Sequence, residues 1–121
     1  MNPEVRFRFD ENLREVAEDP EEMKLAAERL RMSYLKTGDP ESAGVAGSYF
    51  RIIGELRKAE SLLAEAIEAS RALGDGSSEV RNMIRLASVY QWQKRSDESL
   101  QMLQCTLEKI RADKLLEKYL H

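Results

Sequence analysis

Apolar residues recur at helical spacing along nearly the whole chain, and the pattern divides it into six segments. In the first, about residues 3 to 17, Val5, Phe9, Leu13 and Val16 fall on one helical face, while Val5, Phe7 and Phe9 also alternate like a short strand. The second, Pro20 to Lys36, brings Met23, Ala26, Ala27, Leu30 and Tyr34 together. The third runs from Pro40 to Ile53 and the fourth from Glu55 to Leu73. The fifth, Ser78 to Gln93, presents Val80, Met83, Ile84, Leu86, Ala87 and Tyr90. The sixth starts near Asp97 and carries Leu100, Leu103, Leu107 and Ile110. No strand pattern competes after residue 10. The pattern predicts an all-α fold of about six helices in antiparallel hairpins joined by short turns.

The segment ends agree with this reading. All three prolines follow an Asn or Asp and precede a Glu: Asn2-Pro3-Glu4, Asp19-Pro20-Glu21 and Asp39-Pro40-Glu41. Each triplet combines a capping side chain, a proline at the first helical position and an acid at the positive end of the helix dipole. Two further starts are expected at Ser77 or Ser78 and at Ser96. Gly38, Gly54 and Gly74 supply the stops.

The stretch from Gly47 to Ile67 organises the chain. It reads as two helices folded against each other at Gly54. Gly47, Ala59 and Ala66 are small where backbones approach, and Phe50 and Leu63 are large where the gap is filled. Shifting the sequence by 40 residues places Gly47 on Ala87, Phe50 on Tyr90, Ala59 on Ser99, Leu63 on Leu103 and Ala66 on Thr106. Small positions meet small ones and large meet large, which marks an internal repeat.

These residues resemble the tetratricopeptide repeat family. Leu86-Ala87-x-x-Tyr90 with Asp97-Glu98-Ser99-Leu100 matches its pattern, as does Gly47-x-x-Phe50 with Gly54 and Lys58-Ala59. The early Trp of the pattern is Ala43 or Met83 here, the turn Gly is Lys94 in the second unit, and the closing Pro is absent. The period exceeds the family's 34 residues by about six. The resemblance implies a short α-solenoid in a single domain. Residues 3–37 form a degenerate first hairpin, residues 40–74 and 77–112 the two repeats, and residues 113–121 a C-terminal cap.

It also implies a protein-interaction module, in which the first helix of each repeat lines a concave groove that takes a partner protein or peptide. Outward positions there are Glu41, Ser48, Arg51 and Ile52, then Arg81, Arg85, Ser88, Gln91 and Trp92. Arg51, Arg81 and Arg85 suit carboxylates, against the plain alternative of a solvated charged face. Arg51→Ala with Arg85→Ala is expected to weaken binding at a stability cost no greater than about 1 kcal/mol. Some family members hold a C-terminal carboxylate in a lysine-and-asparagine clamp. The matching positions are Ser48, Arg51, Ser88 and Gln91, so that clamp is absent. Trp92 is either an aromatic anchor or a residue packed on the next hairpin.

Composition narrows the function further. At 121 residues and a net charge of −3, the chain is one mildly acidic domain, which argues against nucleic acid as its main ligand. The lone Cys105 permits no intrachain disulfide and reads as a structural thiol. No apolar run is long enough for a membrane span and the N-terminus has no signal-peptide core, so a cytoplasmic protein is the default. The single histidine is the terminal His121. No catalytic triad, metal site or phosphate loop can be assembled, so neither an enzyme nor a cofactor is expected. Leu116, Tyr119 and Leu120 form a last apolar stripe, which either caps the final repeat or docks on a second copy to give a homodimer.

Overall fold

The computed structural model describes residues 5–113. Two short strands, β1 (Phe7–Phe9) and β2 (Glu15–Ala17), precede five helices: α1 (Pro20–Thr37), α2 (Pro40–Ile52), α3 (Leu56–Ala72), α4 (Gly76–Trp92) and α5 (Ser96–Ala112). Each helix packs against the next in sequence, α2 also packs against α4, and β2 touches α2.

The first segment is therefore not a helix. β1 and β2 form an antiparallel hairpin in which Phe7 faces Ala17, Arg8 faces Val16 and Phe9 faces Glu15. The turn decides the matter. The Asp10 Oδ1 accepts hydrogen bonds from the Asn12 and Arg14 amides, each at 2.9 Å. Leu13 N–H donates to the Asp10 carbonyl at 3.0 Å, and Leu13 itself is left-handed at φ 61°. This is the three-residue hairpin loop built on a turn followed by a left-handed residue. The Val5-Phe7-Phe9 alternation prevails over the helical spacing, and a strand also forms beyond residue 10. Among the described residues there are five helices rather than six. The expected helix start at Pro3 and the stripe of Leu116, Tyr119 and Leu120 lie outside the described residues.

The helix signals elsewhere act as their chemistry dictates. The side chains of Asp19 and Asp39 cap α1 and α2, with proline at the first turn of each. The start of α4 lies slightly earlier than expected, because Asp75 is the cap and accepts from the Ser78 amide at 3.0 Å. Gly38 closes α1 at φ 72°. Three later ends share one bonding pattern. Glu55 N–H reaches the Phe50 carbonyl, Asp75 the Ser70 carbonyl and Arg95 the Tyr90 carbonyl, at 2.8, 2.9 and 2.8 Å. The residue before each is left-handed: Gly54, Gly74 and Lys94.

Phe50, Leu63, Ala59 and Ala66 are fully buried. A methyl group on Gly47 would stand 2.6 Å from the Leu63 Cγ, so the close approach of α2 and α3 requires glycine there. Gly44 performs the same service between α2 and α4: a methyl there would meet the Asn82 Oδ1 at 2.1 Å and the Arg85 Nη1 at 2.4 Å. The 40-residue correspondence reaches back into α1, where buried Met23, Ala26 and Ala27 match buried Leu63, Ala66 and Ile67.

The last helix departs from expectation. The buried side of α5 is Ser99, Thr106 and Ile110, whereas Leu100 and Leu103 are exposed. Position in the repeat decides this: Ser99 and Thr106 occupy the close-approach sites of Ala59 and Ala66. Ser99 also donates its hydroxyl to the Ala87 carbonyl at 2.9 Å, satisfying it inside the interface. Among the described residues no helix follows α5 to cover Leu103. Cys105 is exposed too and is no core thiol.

Candidate functional site

The residues singled out from the sequence separate into two clusters. One turn apart on α4, Arg81 and Arg85 both reach back to Glu41 in the first turn of α2. Arg85 Nη2 donates to Glu41 Oε1 at 2.8 Å, and Arg81 Nε to Glu41 Oε2 at 3.3 Å. Arg85 Nη1 also donates to the Asn82 Oδ1 at 2.8 Å. Asn82, fully buried, places its amide 3.4 Å from both the Pro40 carbonyl and the Ser78 hydroxyl. The Ser70 hydroxyl continues the chain at 3.1 Å from Ser78. The hydrogen bond from Arg85, aided by both positive charges, holds the Glu41 carboxyl below its ordinary range against a partial desolvation. Arg81 and Arg85 are thus engaged by the chain's own acid, and their first task is to join α2 to α4.

The second cluster lies where the hairpin meets the ends of α2 and α4. Arg51, expected to face outward, is only 8% exposed. Its Nη2 donates to the Glu15 Oε1 on β2 at 3.0 Å, and its guanidinium carbon lies 4.8 Å from the Trp92 ring centroid. Arg14, in the hairpin turn, stands over the same ring at 4.2 Å. Trp92 therefore serves as a platform for two guanidiniums, one from a neighbouring helix and one from the hairpin. It is half-buried, between the two readings its sequence position allowed. Because Arg51 is buried and paired, its removal cannot be as mild as the sequence suggests: an unpaired Glu15 and a lost packing contact cost about 1.5–3 kcal/mol.

Beside Trp92 lies an open cleft of about 380 Å³ lined by Arg14, Gln91, Trp92 and Lys94. Gln91 is exposed and Ser88, one turn earlier, is half-buried. The lining carries two cations, an amide and an indole face, with no acid. Such a wall suits a carboxylate-bearing chain, which the cations attract and the indole packs against. Two of its members, Gln91 and Trp92, were legible in the sequence as outward positions of a first helix. Lys94 was visible only as a lysine where the repeat calls for glycine. Arg14 was hidden, because its segment reads as a helix and nothing in the sequence ties residue 14 to residue 92. Glu15 was missed for the same reason.

A second cleft, of about 280 Å³, opens between α3, α4 and α5 over Met83, Tyr90, Met102 and Cys105. Among the described residues no group of three or more His, Cys, Asp or Glu side chains could hold a metal ion, and no helix is long and apolar enough to cross a membrane. No family model, curated protein or solved structure matches this chain.

Proposed function

We propose that the protein is a non-catalytic interaction module, a short solenoid resembling the tetratricopeptide repeats, that holds an acidic segment of a partner polypeptide. The observation that carries this is the cleft of Arg14, Gln91, Trp92 and Lys94, whose cations and half-buried indole are set where the hairpin turn meets the end of α4. The partner segment lies along the face formed by α2 and α4, with Gln91, Trp92 and Lys94 as direct contacts and Ser88 beside them. Arg51 acts through Trp92, and Arg81 and Arg85 act by holding the face together. Recognition, not chemistry, is the mechanism: no nucleophile with a base stands in the cleft.

Selection from a displayed random-peptide library tests this. Recovered sequences enriched in Asp and Glu, and lost when Arg14→Glu and Lys94→Glu are combined, are the expected result. Recovery of sequences with no acidic bias, or binding indifferent to the double substitution, removes the reading.

A second reading is favoured by the ends of the helical stack. Leu25, Met32 and Leu35 are exposed on α1 and Leu100 and Leu103 on α5, so the first and last helices among the described residues present apolar side chains. In that reading the module self-associates end to end, or belongs to a larger regulator. Molar mass by light scattering across a hundredfold dilution separates the two. A constant value at the 13.9 kDa chain mass favours partner capture, and a stable dimer favours assembly.

A further inference from the structure

We infer that the outer edge of β1 is a second docking surface, distinct from the Trp92 cleft, that takes an extended partner segment alternating acidic and apolar residues by strand addition. The hairpin register fixes which backbone groups are free. Glu18 N–H donates to the Arg6 carbonyl at 3.2 Å and Asp10 N–H to the Arg14 carbonyl at 2.9 Å. Residues 6 and 18, and 10 and 14, are therefore hydrogen-bonded pairs, and by alternation so are 8 and 16. The N–H and C=O groups of Phe7 and Phe9 point the other way, off the edge of β1 that no other strand pairs among the described residues. β2 packs against α2. An unpaired edge of this kind is a template for another strand.

The side chains along that edge specify the occupant. Phe7 and Phe9 stand on one face, 5.8 Å apart and edge to face, and remain 41% and 61% exposed. They share this face with Ala17 and Glu15, and both rings stay partly open to solvent. Arg6 and Arg8 stand on the opposite face, exposed and without an ion-pair partner among the described residues. An added strand has the same period of two. Its residues opposite Arg6 and Arg8 are best acidic, and its intervening residues, beside Phe7 and Phe9, best apolar. A second copy of β1 fits less well in the antiparallel sense, since the pairing that sets Phe7 beside Phe9 also sets Arg8 against Arg8 of the other copy.

The test uses a capped Glu-Val-Glu-Val-Glu-Val-Glu peptide, with Lys-Val-Lys-Val-Lys-Val-Lys as control, and follows amide exchange of the full chain by NMR. The acidic peptide is expected to protect the Phe7 and Phe9 amides, which exchange freely without it, and the basic one to leave them unprotected. Arg6→Glu with Arg8→Glu should weaken this binding about tenfold or more. Phe9→Pro should abolish it while leaving the inward Arg8 and Asp10 amides protected, because the Phe9 N–H takes no part in the hairpin ladder. Lys94→Glu should not change it, which keeps this surface separable from the cleft. The inference is overturned if the acidic peptide leaves Phe7 and Phe9 unprotected, if both peptides protect them equally, or if protection appears without peptide and grows with protein concentration, the mark of self-pairing.

Discussion

Lys94 holds the left-handed backbone conformation that Gly54 holds forty residues earlier, at φ 60° against 87°. Both residues end a helix by the same pair of carbonyl contacts, but only glycine does so without a Cβ penalty. Relief of about 1–2 kcal/mol of strain, offset in part by the greater freedom of glycine in the unfolded chain, should make Lys94→Gly stabilising by about 0.5–1 kcal/mol. Leu13, left-handed in the hairpin turn and 80% exposed, should respond in the same direction. Urea midpoints of the two variants check this, and a lowered midpoint in both would contradict the turn geometry.

Gly44 leaves room for a hydrogen-bonded amide rather than for an apolar side chain. With a methyl at position 44, either Asn82 leaves its place or α2 and α4 separate. Gly44→Ala should cost about 2 kcal/mol, from overpacking and a displaced buried polar group. In combination with Asn82→Ala the extra cost should be far smaller, since the obstructing atoms are gone. A double-mutant cycle by thermal or urea unfolding reads the coupling. Simple additivity would mean the two residues do not meet.

The Glu41 carboxyl is held below its ordinary value of 4.5 by the hydrogen bond from Arg85 and by the charges of Arg85 and Arg81. A folded-state value below the unfolded one means the unfolded chain binds more protons in that window. The stabilisation is therefore complete above the ordinary carboxylate range and is lost as pH falls through the lowered value. Glu41→Gln should be less stable than the parent at pH 7, and the difference should narrow in acid. Unfolding midpoints of both chains at pH 7, 5 and 3 test the sign. A gap that widens in acid contradicts it.

Arg51 is buried by Trp92 and paired with Glu15, thirty-six residues away in sequence. Arg51→Ala should destabilise the fold by about 1.5–3 kcal/mol, whereas Gln91→Ala, on an exposed site, should stay within about 0.5 kcal/mol. Equal small effects in calorimetry would mean that the clasp between hairpin and helices is not formed in solution.

Much of the helical core is legible from local rules. Asp19 and Asp39 announce their helices by side chain and following proline. Gly47, Ala59 and Ala66 mark close approach by size alone. The hairpin was less legible, because Val5 and Phe9 satisfy a helical pattern, with Leu13 and Val16, and an alternating one, with Phe7, at once. What decides between them is the Asp10 side chain reaching two amides, a local competition that apolar spacing does not register. The burial of α5 follows the repeat position of Ser99 and Thr106 rather than the more apolar Leu100 and Leu103. The site was half legible. Gln91 and Trp92 lie on the expected helix, but Arg14 and Glu15 arrive from a segment whose placement depends on long-range packing.

The chain contains a single tryptophan, and it lies in the proposed cleft. Trp92 emission, titrated with a capped Glu/Asp-rich peptide at low and at physiological salt, tests the interaction reading most directly. The emission should change saturably, the change should weaken with salt, and it should be absent with a Lys-rich peptide and lost in Arg14→Glu with Lys94→Glu. Emission that stays constant with the acidic peptide, or that changes equally with the basic one, would contradict it.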